Sequence, residues 1–342
     1  MGNMQVINLL YTMDDNFVMQ AAVSMVSLFE NNPDICFHLY IISDEIGGLK
    51  QKRLIGIAKE YGHTIDIIDM PDLDAIAGVK LDANGLARAA YCRLFLPQLL
   101  PDEVNTVFYL DPDTLVTGKI SELANILTSE EFEGYYLAAC LDSKADYKRF
   151  NGFKRKEKYY NSGVLLINLK RWRETGIQGI FCHEIRRRKG RSIELDQSYI
   201  NCVMIGRIMT LPARYNVMYL YYNSYDDYLK KSGYRPDEIY TKDELSEAVQ
   251  NPVIIHFAGE AKYRPWYRDC GHPMKEEWFE VYRKTGWEDF VPGRCDLKPP
   301  LSFFTACRIR MVKKLLQSRY AAMLYTKYKF GFDVKPFRNK TV

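Results

Sequence analysis

Residues 105–116 read NTVFYLDPDTLV, an apolar, β-rich run that stops at two carboxylates one residue apart, Asp111 and Asp113. In an extended segment residues i and i+2 point the same way, so both acids can reach one ion or ligand group. A hydrophobic strand ending in Asp-X-Asp delivers hard oxygen ligands to a sheet edge, where Mg²⁺ or Mn²⁺ can sit between protein and phosphate. The structural alternative is a strand-end turn, since Asp and Pro are ordinary turn residues.

The segments on either side set the sheet type. QVINLLYT, FHLYIIS, TIDIID and VNTVFYLD predict strands. NFVMQAAVSMVSLFENN, LKQKRLIGIAKEYG and LARAAYCRLFLPQLL lie between them with helical spacing of apolar residues. Strands separated by helices of this length predict βαβ units, an α/β fold with a mostly parallel central sheet. Ligands of such sheets bind beyond the carboxyl ends of strands. Asp14, Asp15, Asp111 and Asp113 all fall at such ends. Further on, YYLAACLD, SGVLLINL and PVIIHFAG read as strands, and NLKRWRETGI as a turn into a helix. IELDQSYINCVMIG reads as an acidic loop leading into a helix, and YLYYNSYDDYLKKSGY as a loop or lid.

At 342 residues, 47% of them hydrophobic, the chain suits one large domain or one domain with extensions. No apolar run approaches the ~20 residues that span a bilayer. MGNMQVINLLYTMDD lacks the basic region and cleavage site of a signal peptide. It also lacks the Ser/Thr of a myristoylation signal. Eight scattered cysteines without Cys-X-X-Cys pairs read as small apolar residues in a reducing compartment.

Charge is unevenly placed. Residues 301–342 carry ten Lys/Arg against one acid, Asp333, so the overall +4 leaves −5 for the first 300 residues. Ile309, Val312, Leu316, Tyr320 and Met323 recur at steps of three and four, as in an amphipathic helix. Such a helix with a basic polar side suits an anionic membrane surface; the alternative is docking on the protein's own core. No nucleic-acid motif accompanies the charge, so nucleic acid is not an expected partner.

Several separated motifs then find a common explanation. YTMDDN, YCRLFLP, FYLDPDTLV, YYNSGVLLINLKRWR, LDQ and HFAGEAKYRPW, in this order from about Val6 to Trp266, resemble glycosyltransferase family 8. The likeness is to the bacterial lipopolysaccharide galactosyl- and glucosyltransferases. It implies a GT-A-type single Rossmann-like domain over residues 1–295, followed by a basic helical region, 296–342. Residues 1–115 would serve the nucleotide and 116–295 the donor sugar and acceptor. It implies a Mn²⁺-dependent enzyme (Mg²⁺ possible) that moves a hexose from a UDP-sugar to a saccharide or lipid-linked acceptor. Such an enzyme would be cytoplasmic and peripheral on the inner face of the plasma membrane.

The resemblance also implies roles. Tyr11, Thr12, Asp14 and Asn16 would line the nucleotide pocket, and Arg93 would lie near the donor phosphates and sugar. Asp111, Asp113 and His256 would bind the cation, while Gly259 and Lys262 would contact the diphosphate. Asp142, Asn161, Asp196 and Gln197 would hold the donor sugar. Bland readings stand beside these: His256 as a core histidine, Asp14 as a helix cap, Asp196 as the cap of a helix over 197–205. Family 8 implies retention at the anomeric carbon. Retention through a covalent intermediate needs a carboxylate nucleophile, and the best-matched side chain, Gln197, is an amide. A front-face route is therefore expected, with the leaving phosphate oxygen taking the acceptor proton.

Two other readings compete. LDPDTLV also fits the Asp-X-Asp-X-Thr of haloacid-dehalogenase-type phosphatases, whose first Asp is phosphorylated. That motif normally opens its fold, whereas here some hundred residues of βαβ pattern precede it. An inactive nucleotide-sugar-binding scaffold is the other.

Overall fold

The computed structural model describes residues 6–82, 88–287, 290, 292–293, 316 and 318–332. A seven-stranded sheet forms its centre: β1 (Val6–Asp14), β2 (Cys36–Asp44), β3 (Thr64–Asp69), β4 (Thr106–Leu110), β6 (Leu137–Leu141), β7 (Tyr160–Asn168) and β8 (Ile208–Thr210). Their spatial order is β3-β2-β1-β4-β7-β6-β8. Every pairing is parallel except those of β7, which runs antiparallel to β4 and β6. The expected α/β architecture is therefore present.

Both faces of the sheet are covered, which explains the continuous apolar runs. Leu10, Ile42, Tyr109 and Leu165 pack into one layer, and Leu9, Ile41, Phe108 and Leu166 into the other. Helix α1 (Val18–Asn31) buries nearly its whole length, and α2 (Gly48–Glu60) crosses between β2 and β3.

A second, three-stranded sheet of β5 (Thr114–Val116), β9 (Val217–Met218) and β10 (Ile254–His256) has the order β5-β10-β9. β5 follows β4 after a three-residue turn that contains both acids of the Asp-X-Asp. β10 pairs antiparallel with β5 and sets His256 opposite Thr114. That register, not sequence proximity, carries the imidazole to the aspartates.

Three segments depart from the sequence reading. The described part of LARAAYCRLFLPQLL, from Arg88 on, forms a 3₁₀ helix, Arg88–Phe95, and one α-turn, Leu96–Leu99, rather than a continuous α-helix. Pro97 occupies the first turn of that α-segment, where its missing N–H costs nothing, but it cannot continue a preceding helix. The expected lid contains a helix, Tyr225–Ser232, capped by the Ser224 side chain and closed by Gly233 at φ +76. Its Tyr228, with neighbouring Tyr221, is buried, so aromatic residues there build core. The third departure is the helix containing Asp196, which starts at Leu195 with Glu194 in the cap position.

Within the basic region, the described residues include one helix, Arg319–Phe330. It docks through Ala322 and Thr326, both fully buried, and not through the Tyr320 side. Arg319 Nε donates to Gly152 O at 2.9 Å and Thr326 Oγ1 to Phe150 O at 3.1 Å. Tyr320, Leu324 and Tyr328 stay exposed. Ile309, Val312 and the 295/296 boundary lie outside the described residues. Among the described residues, no helix is long and apolar enough to cross a membrane.

Candidate active site

Three ligand groups converge at the end of β4. One atom each of Asp111, Asp113 and His256 lies within 4.8 Å of the others. His256 Nε2 is 3.2 Å from Asp113 Oδ1 and 3.5 Å from Asp111 Oδ2. Adjacent ligands of an octahedral cation with bonds near 2.1 Å are about 3 Å apart, so the spacing suits one ion. Two carboxylates with one imidazole favour Mn²⁺ or Mg²⁺ over a thiolate-seeking metal. The residues present fit the expected cation.

Neighbours outside the ligand set hold this geometry. His256 Nδ1 lies 3.0 Å from Asn216 Oδ1, and the Asn216 amide donates to Asn161 Oδ1 at 2.9 Å. With the amide facing this way, Nδ1 carries the hydrogen and Nε2 is turned to the acids. Gly163 is a steric requirement. A Cβ there would overlap His256 Cε1 and would sit 2.6 Å from Nδ1 and 2.9 Å from Asp111 Oδ2. Gly163→Ala should push the imidazole off the ion and lower turnover about 10²-fold, the usual cost of a 1 Å misplacement. Its circular-dichroism spectrum should stay native; activity within a factor of two of wild type would contradict this.

Electrostatics point the same way. Burial alone would lower the His256 pKa, but Asp113 and Asp111 override it and hold it up at about 9. Burial likewise works against the Asp111 carboxylate, yet Arg93 and His256 bring it down to about 2. With no cation, then, the imidazole is protonated near neutrality and a cation must displace that proton. Affinity for Mn²⁺ should rise about tenfold per pH unit up to about 9 and then level off. Calorimetric titration at several pH values reads this directly; a flat affinity would contradict it.

Arg93 ties the acids to the opposite wall. It is 4% exposed, a consequence of the tight 3₁₀ turn that turns it inward. One terminal nitrogen donates to Asp111 Oδ1 at 3.1 Å and to Ser162 O; the other donates to Asp196 Oδ1 at 3.0 Å. Its guanidinium lies 4.5 Å from the centre of the Tyr109 ring. Burial pushes Asp196 up to about 6 despite Arg93, and its Oδ2 is buried without a hydrogen-bond partner. Leu195, at φ +41, presents Asp196 and Gln197; this strained left-handed geometry costs on the order of 1 kcal/mol.

Gln197 is fully engaged. Its Oε1 accepts from Ser162 N at 3.0 Å, and its Nε2 donates to Asp142 at 3.2 Å and Glu194 at 3.0 Å. Asn161 donates to Asp142 Oδ2 at 3.1 Å. Burial raises Asp142, and burial with the Asp142 charge raises Glu194 well above the usual carboxylate range.

A cavity of about 550 Å³ joins these groups. Thr12, Asp14, Asn16, Arg93, Asp111, Asp113, Asp196 and Gln197 line it. Asp14 also closes its turn by accepting from Asn16 N at 3.0 Å. A smaller cavity of about 160 Å³ adjoins it, lined by Asp142, Asn161 and Gly259, and shares Glu194 and Tyr147 with the first.

Two expected residues are placed otherwise. The Tyr11 ring is fully buried in the core and bonds Ser24, so its side chain does not face the cavity. Residue 11 alternates with Thr12 along β1, which sends it to the opposite face. Lys262 pairs with Glu260 at 3.0 Å and lines neither cavity. Sequence reasoning missed Glu194, Tyr147 and Asn216, and gave Gly163 no role. Only Glu194 and Gly163 carried a signal, one beside LDQ and the other within YYNSGV. The phosphatase-like pattern fails at its third member: Thr114 directly follows Asp113 and bonds Ser24 and the Asp111 carbonyl, and the position the pattern needs, 115, is Leu.

Comparison with known proteins agrees. The chain is 24% identical over 289 residues to General stress protein A of Bacillus subtilis, covering 83% of this chain and 95% of that one. It is 24% identical over 332 residues to a lipopolysaccharide 1,2-glucosyltransferase of Escherichia coli, covering 93% and 90%. Its fold matches the crystal structure of galactosyltransferase LgtC with donor and acceptor sugar analogs, at TM-score 0.65 and 24% identity over 81% of this chain and 96% of that one. Residues 8–270 match the model of the glycosyl transferase family 8 domain. With the strand-end aspartates, the distant histidine and the motif order all in agreement, this chain belongs to glycosyltransferase family 8.

Proposed function

We propose that the chain transfers a hexose, galactose or glucose, from a UDP-sugar to a saccharide acceptor of the lipopolysaccharide or related surface-glycan type, with retention of configuration. The convergence of Asp111 and Asp113, which line the 550 Å³ cavity, with the buried His256 behind them carries this reading. Relatives whose names specify lipopolysaccharide glucosyl- and galactosyl-transfer support it. A Mn²⁺ ion held by the three residues would supply positive charge opposite the departing diphosphate.

The chain's own groups divide the remaining work. Thr12, Asp14 and Asn16 flank the nucleotide end of the cavity, and Arg93 offers a charged fork toward the sugar end. Asp196 Oδ2, without a protein partner, accepts a donor-sugar hydroxyl. Gln197, its Oε1 already accepting from Ser162 N and Asn161, is held in place beside the donor sugar and is not free for covalent attack. Burial holds Glu194 well above the usual carboxylate range, which disfavours the ionised form that covalent attack would need. Lys262 would reach the diphosphate after leaving Glu260, an exposed pair worth at most about 1 kcal/mol. The smaller cavity beside Gly259 suits the acceptor.

A UDP-release assay over a panel of nucleotide sugars, with and without Mn²⁺, tests the reading. One UDP-hexose should be turned over only with the cation. Phosphate release from simple esters without UDP would sink the proposal, and a glycosyl adduct trapped on Asp196 would sink its front-face step. Membrane attachment belongs to the same reading. Tyr320, Leu324 and Tyr328 form an exposed stripe on the C-terminal helix, beside Lys327 and Lys329.

A further inference from the structure

Beside the helix Ala145–Phe150, distinct from the active-site cleft, lies another concavity of about 340 Å³. Ala145, Lys148 and Arg149 of that helix line it, while Lys144 and Tyr147 of the same segment line the cleft. Six cations face into it, Lys148, Arg149, Arg155, Lys230, Arg235 and Arg319, against one lining carboxylate, Glu238. A concavity with that imbalance draws anions.

Partners account for part of the charge. Lys148, its side chain 4% exposed, pairs with Glu238 at 3.1 Å. Arg149 meets Asp146 at 3.3 Å, Lys230 meets Asp227 at 3.5 Å, and Arg155 pairs with Asp237. Among the described residues neither Arg235 nor Arg319 forms an ion pair, although the Arg235 charge reaches Asp237, which Arg155 already pairs. Arg319 gives only its Nε to Gly152 O, which leaves both terminal nitrogens as donors. Two guanidinium groups outside any ion pair match a dianion, and their planar forks suit phosphate oxygens in bidentate fashion. A single carboxylate would leave one positive charge unanswered.

We propose that this concavity is a phosphate-binding site, separate from the donor site, for a phosphate monoester or diphosphate carried by a soluble molecule or a lipid headgroup. It goes beyond the transferase reading and does not depend on it. Arg319 belongs to the C-terminal helix, so an occupant would bridge that helix to the catalytic domain.

Calorimetric titration of the full chain with inorganic phosphate, in EDTA to keep the anion from a cation-loaded cleft, tests the site. Saturable binding is expected, weakened about tenfold in Arg235→Gln and in Arg319→Gln through loss of a charge-assisted hydrogen bond. Arg235 is exposed and lies outside the C-terminal helix, so its variant stays informative even if Arg319→Gln undocks that helix. Mn²⁺ binding to each variant checks that the cleft is intact. Phosphatidylcholine–phosphatidate vesicles identify the source. Weaker vesicle binding by Arg235→Gln assigns the site to a headgroup; unchanged vesicle binding with weakened phosphate binding assigns it to a soluble phosphate. No saturable phosphate binding, or equal binding by wild type and both variants, would overturn the proposal.

Discussion

Asp113→Asn should lower sugar transfer by about 10³-fold, since losing a cation ligand forfeits several kcal/mol of charge stabilisation. Among the three ligand residues Asp113 gives the cleanest test. Asp111 also bonds Arg93 and Tyr109, and His256 bonds Asn216, so changing either disturbs more than the ion. Among the described residues the Asp113 carboxylate pairs only with His256, and its backbone oxygen, which accepts from Phe257 N, is untouched by the exchange. Thermal unfolding should therefore stay close to wild type while steady-state UDP release collapses. Excess Mn²⁺ should restore part of the activity, because two ligands remain. Turnover near wild type would remove the cation from the account.

Arg93→Met should be the most destabilising single change in the cleft, at about 3–5 kcal/mol by denaturant unfolding near neutral pH. It removes the one cation that contacts both Asp111 and Asp196, and leaves the Asp196 side chain, 3% exposed, as an uncompensated buried charge. The sign with pH follows. Asp196 is raised to about 6 in the folded chain against 3.8 unfolded, so folding takes up a proton and stability falls as pH rises between those values. Without Arg93 the folded value climbs further and the loss extends to higher pH. The gap between variant and wild type should therefore narrow as pH falls toward about 6 and change little below it. A gap that widens on acidification would show that Asp196 is not the group left exposed to the penalty.

What could be read in the sequence was whatever rests on local pattern. The alternation of β1, α1, β2, α2 and β3, with aspartates at strand ends, follows from runs buried on both faces and from amphipathic spacing. Longer-range features needed coordinates. β7 reads like any buried strand, and its antiparallel course is fixed by neighbours distant in sequence. His256 meets Asp113 because β10 pairs with β5, a register no local signal specifies. The tyrosines at 221 and 228 looked like a polar lid because charged residues surround them, yet helical geometry turns their rings into the core. Lys262 was assigned to the diphosphate from the resemblance, and its pairing with Glu260 could not be foreseen. Glu194 lies between the two cavities because the helix begins one residue after it, whereas a start at 197 would have hidden it in a loop.

Electron spin-echo envelope modulation of Mn²⁺ bound to the full chain tests the central claim most directly, because it detects nitrogen bonded to the ion. The account predicts coupling to one imidazole nitrogen that disappears in His256→Gln. Bound Mn²⁺ with no nitrogen coupling, or coupling unchanged in that variant, would contradict it.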